Sequence, residues 1–214
     1  MNSIVLGESI LLIAVFLNIV LGIKSWQRRP APGAAAFGLM AFLIALYAVV
    51  NLVWLLMGHG RLEAVLHVLR ITATAHIPVA WMLFALQYTG RERWAAPGRV
   101  GLLMAIPLLT ALFSLDVIAP GFLRGWEITA SGDFHFLSDG PWFYVHVAYT
   151  YLLFVSGLVV LVRHLPFSGQ SVSLLISIVA TLSLETLGQM GIEVWGSLPG
   201  AAGLSIGLTI SAAT

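Results

Sequence analysis

The feature that most constrains this chain is the recurrence of apolar runs of about 20 residues, separated by short basic or polar turns. A helix rises about 1.5 Å per residue, so each such run can cross roughly 30 Å of hydrocarbon. Only 9% of the 214 residues are charged, against about 25% in an ordinary soluble domain. So few charges cannot cover a water-facing globule. A soluble enzyme, a disordered chain and a nucleic-acid-binding protein are excluded on that ground. The lipid bilayer is the first partner that the sequence names.

The runs predict an all-α membrane protein, a bundle of seven transmembrane helices at about 4–23, 34–57, 62–88, 100–115, 142–162, 171–192 and 201–214. The first lacks the basic start of a signal peptide, with Lys24, Arg28 and Arg29 following it instead, so it reads as a retained helix. Pro30, Pro32 and Gly33 mark the turn after it. The seventh is short for a span, and the chain reads as stopping inside a helix. A single long polar stretch, 116–141, contains Arg124–Thr129 and Asp133–Phe136 around Ala130-Ser131-Gly132. Aromatic and β-branched residues about a glycine turn predict a short extracellular β-hairpin between the fourth and fifth helices. It reads either as a connector sealing the helix ends or as a lid over a pocket.

Alternating the helices places Lys24, Arg28, Arg29, Arg91, Arg93, Arg99 and Arg163 on one side. The other side receives Arg61 and Arg124 with Glu63, Asp116, Glu127, Asp133 and Asp139. The positive-inside rule then gives an N-terminus outside and a C-terminus inside a cell membrane. Trp26 and Trp94 fall at the inner interface, and Trp126, Trp142 and Trp195 at the outer. Membrane anchoring is the plain reading of all five.

An ionisable group at mid-depth costs at least ~2.5 kcal/mol on insertion scales, so it needs a partner or a wet cavity. Arg70 lies ~12 Å below the outer end of the third helix and Glu185 ~10 Å below that of the sixth, by the same rise per residue. Being level, they predict an Arg70–Glu185 ion pair. His67 and Thr74 share a helix face with Arg70. Gln189 and Glu193 continue the stripe above Glu185, and His146 and Tyr149 lie one turn apart on the fifth helix. Asn51 and Glu8 add to the same outer layer. Two readings stand: hydrogen bonds gluing the bundle, each contributing about 0.6 kcal/mol, or a polar pocket for a small molecule. In the second reading the contacts are His67, Arg70, His146, Tyr149, Glu185 and Gln189.

Much chemistry is missing. There are no cysteines, and Lys24 is the one lysine, so thiolate metal sites and a retinal Schiff base are excluded. No phosphate loop, HExxH or GxSxG occurs. A haem or metal held between His67 and His146 stays as a minor alternative. Otherwise no cofactor and no catalysis are expected. A transporter would need a polar path to the inner side, for which Asn18, His76 and Gln87 are the available residues. A passive membrane anchor for an enzyme is the third reading.

Gly140-Pro141-Trp142-Phe143, followed by His146, Tyr149 and Tyr151, resembles the N-terminal seven-helix sensor region of bacterial and archaeal histidine kinases, which also precedes some diguanylate cyclases. Trp54, the stretch from Pro78 to Arg91 and the proline-containing basic first inner loop are similar too. The last helix opens with Ala201-Ala202-Gly203-Leu204 where the family often has an acidic residue and a Thr-Pro pair. The resemblance implies a receptor for an extracellular or membrane-borne cue, relaying through the seventh helix to a cytoplasmic output domain. It also implies a homodimer.

Overall fold

The computed structural model describes residues 3–57, 62–129 and 134–164. Among the described residues five α-helices run in order: α1 (Ser3–Gln27), α2 (Ala34–Met57), α3 (Leu62–Tyr88), α4 (Pro97–Phe113) and α5 (Pro141–Val162). Two antiparallel strands, β1 (Arg124–Ile128) and β2 (Phe134–Asp139), lie between α4 and α5. The expected helices at 171–192 and 201–214 fall outside the described residues. Of the described helices, α2, α3 and α5 are each long and apolar enough to cross a membrane.

The helix ends follow local chemistry. α3 closes in a Schellman motif: Gly90 adopts φ 70°, its N–H donates to the Gln87 carbonyl at 3.1 Å, and the Arg91 N–H donates to Leu86 at 2.8 Å. Glycine reaches this left-handed conformation without a Cβ penalty. Pro97 and Pro141 occupy the first helical positions of α4 and α5, where a missing N–H costs nothing.

α3 is the centre of the bundle, packing against α2, α4 and α5. Its Trp81 is 3% exposed, donates its indole N–H to the Phe154 carbonyl at 3.2 Å, and sits against Gly157 of α5. A Cβ at Gly157 would overlap the indole nitrogen. Ile44, Ile77, Ala80, Phe84 and Leu161 close the core around it. A second apolar cluster joins Leu11 and Ala14 of α1 to Tyr47 and Ala48 of α2 and Ala73 of α3. Leucine, isoleucine and valine also cover much of the outside, among them Leu12, Ile13, Leu102 and Leu152, as expected where lipid replaces water.

Both ends of the bundle are distinct. At one, Arg91 Nη2 meets His164 Nε2 at 2.7 Å, tying the end of α3 to the end of α5. Arg28, Arg29, Arg93, Arg99 and Arg163 flank helix termini at this same basic end. At the other lies the sheet.

Candidate functional site

The polar layer is built at the sheet end, from two groups of side chains. The first stands on α2 and α3. Glu63 and His67 are one turn apart on α3 and are 2% and 0% exposed. Arg70, the next residue on that face, holds its guanidinium 4.7 Å from the centroid of the Trp54 ring of α2. A cation over an indole face contributes about 0.5–2 kcal/mol, more when desolvated. Asn51, 7% exposed, uses its amide to bond the Tyr47 carbonyl at 2.7 Å. Thr74 bonds back to the Arg70 carbonyl at 3.0 Å. Within α3, therefore, a carboxyl, an imidazole and a guanidinium climb one stripe.

The second group joins α4 to α5. The Trp142 indole N–H donates to Thr110 Oγ1 at 2.9 Å. Thr110 donates in turn to the Ile106 carbonyl at 2.8 Å and lies 3.3 Å from His146 Nδ1. A threonine hydroxyl has one hydrogen and two lone pairs. With its hydrogen spent on Ile106, both lone pairs accept, one from Trp142 and one from His146. The proton of His146 therefore sits on Nδ1. One turn further, the Tyr149 hydroxyl donates to the Leu103 carbonyl at 2.5 Å.

The sheet ties the groups together. Arg124 of β1 bonds Asp139 of β2 at 2.5 Å and lies 4.8 Å from the centroid of the Phe143 ring of α5. β1 and β2 slip register between Arg124 and Trp126, whose partners are Asp139 and Phe136.

The Gly-Pro-Trp-Phe segment is the joint. Gly140 donates its N–H to Leu123 at 2.8 Å, and Trp142 donates its N–H to Phe122 at 3.0 Å. A Cβ on Gly140 would overlap the Gly121 and Phe122 carbonyls. Only glycine lets the backbones approach this closely. Trp142 then packs edge-on against Phe113, centroids 5.1 Å apart, and stacks on Phe122 at 6.0 Å.

Of the residues singled out from sequence, His67 and Arg70 lie together on α3, and His146 and Tyr149 lie together on α5 facing α4. Glu185 and Gln189, and with them the Arg70–Glu185 pair, fall outside the described residues. Sequence reasoning missed the partners. Thr110 is one more small polar residue in an apolar helix, and nothing in its context marks it as the acceptor of two α5 side chains. Glu63 counts in the sequence only as an outer-side charge at the start of the third helix, but it is buried in the first turn of α3. Its spacing of four from His67 is the signal that would have found it. Trp142 reads as an interface anchor, yet its N–H is committed inside the protein.

No curated protein matches the chain. A family model described as the N-terminal 7TM region of histidine kinase matches residues 10–213. The chain belongs to that family, the membrane-embedded N-terminal regions of histidine kinases.

Proposed function

We propose that this region is the receptor of a histidine kinase and binds a small molecule in the polar layer at the sheet end. His67 and Arg70 are the principal contacts. His146 and Tyr149 hold the adjoining wall, and Glu185 and Gln189 complete the set. The sheet caps the layer. The observation that carries this reading is the burial of Glu63 and His67 one turn apart, 2% and 0% exposed, beside Arg70. Hydrocarbon penalises each such group by a few kcal/mol, roughly 2.5 or more on insertion scales. A chain with 9% charged residues retains two of them, Glu63 and Arg70, on one stripe with His67 at that cost.

The basic end supports an orientation with the sheet outside and the arginines inside. A cue bound outside favours one packing of the helices, and the last helix carries the change inward to an output domain. In this reading the transmembrane region performs no catalysis itself and works as a dimer.

The test uses the full-length kinase in proteoliposomes. Pools of small carboxylates and small amines are added separately, and melting and autophosphorylation are followed. One pool should raise the melting temperature of the wild type, and Arg70→Gln and His67→Ala should abolish that rise and move the basal phosphorylation level. If no pool acts and both variants leave the output unchanged, the region is a passive anchor.

A further inference from the structure

α4 is short. Its 17 residues, Pro97–Phe113, span about 25 Å at 1.5 Å per residue, less than the roughly 30 Å of a hydrocarbon core. The backbone does not simply turn into water after it. Ser114, Leu115 and Asp116 continue as tight turns, the Leu115 N–H bonding Leu112 at 3.3 Å and the Asp116 N–H bonding Phe113 at 3.1 Å. Asp116 then takes φ 56° and folds its side chain inward, accepting the Gly121 N–H at 2.6 Å. The Phe122 N–H closes the loop on Ala119 at 3.0 Å.

The loop so closed is built to present hydrocarbon. Val117 is 79% exposed, Ile118 62% and Leu115 44%. Leu108 and Leu112, which precede Leu115 at helical spacing on α4, are exposed as well. The single charge in the loop, Asp116, has one carboxylate oxygen occupied by the backbone. Left in water, two adjacent β-branched side chains at a loop tip are an unfavourable placement. Placed against a bilayer, they supply the missing turn of α4.

We propose that Leu115, Val117 and Ile118 form a membrane anchor, inserted into the acyl boundary of the leaflet on the sheet side. The partner is the lipid surface itself. Because Gly121 and Phe122 abut Gly140, the anchor fixes the depth of the sheet and of the start of α5 together. A longer apolar helix would span without such a device; a short one needs it or a locally thinned bilayer.

The cysteine-free chain permits a clean test. Nitroxide labels are attached at single cysteines replacing Val117 or Ile118, and at Glu127 or His135 on the sheet as water-facing controls. Each protein is reconstituted in phosphatidylcholine–phosphatidylglycerol vesicles, and melting confirms that it is folded. Collision with oxygen should exceed collision with a water-soluble nickel chelate several-fold at 117 and 118, and the order should reverse at 127 and 135. Greater access of the chelate at 117 and 118 would overturn the proposal. So would exclusion of both reagents there, because another protein surface would then cover the loop.

Discussion

The Tyr149 hydroxyl donates to the Leu103 carbonyl at 2.5 Å, and Leu103 stands four residues before Pro107. Proline has no N–H, so the carbonyl four residues earlier in its helix loses its partner. Lipid supplies no substitute donor. Tyr149 therefore repairs, from α5, the hydrogen bond that Pro107 removes from α4.

That relationship makes a double-mutant prediction. Tyr149→Phe should destabilise the protein by about 1 kcal/mol, within the range of an intramembrane hydrogen bond. In a Pro107→Ala background, which returns an N–H to Leu103, the same change should cost almost nothing. Unfolding in mixed micelles measures both, and an equal cost in the two backgrounds would count against the repair.

Thr110 accepts from Trp142 while lying against His146. Thr110→Val keeps the shape and removes both lone pairs. It should lower stability by about 1–2 kcal/mol, because two half-buried donors lose their acceptor. Trp142→Phe keeps an aromatic ring on Phe113 and Phe122 but has no donor, so its cost and that of Thr110→Val should be less than additive.

The closest backbone approach in the joint is at Gly140. Gly140→Ala drives a methyl into the Gly121 and Phe122 carbonyls, atoms that no rotamer change can move aside. We expect a loss of about 1–3 kcal/mol, as for overpacking elsewhere, and separation of the sheet from α5. Gly157→Ala, which meets the Trp81 indole, should loosen α3 from α5 instead. Trp fluorescence and melting together distinguish the two.

At the basic end, His164 Nδ1 lies 2.8 Å from the Val160 carbonyl and Nε2 lies 2.7 Å from Arg91 Nη2. A carbonyl and a guanidinium fix the tautomer: Nδ1 carries the proton and Nε2 accepts. Nitrogen NMR should report that form. His164→Ala should release Arg91 from the end of α5 and lower the melting temperature.

The membrane character and the positions of the described helices were legible in the sequence, because lipid imposes the same length and polarity rule on every span. The ends of α2, α3 and α5 differ from expectation by no more than a residue. α1 runs on to Gln27, past its apolar run, and α4 spans Pro97–Phe113 where 100–115 is expected. Helices can extend through polar residues once outside hydrocarbon, so hydropathy does not mark their ends.

His67 and Arg70 could be picked out because an ionisable residue in an apolar run is conspicuous by itself. Their partners could not. Trp54 beneath Arg70, Thr110 between Trp142 and His146, and Leu103 beneath Tyr149 are each set by how one helix is rotated against another. Rotation is decided by packing details such as Trp81 seated on Gly157, and neighbouring helices surrounded by lipid carry no polar face to reveal it. The sequence by itself determined which segments enter the membrane; tertiary packing alone decided which polar groups meet there.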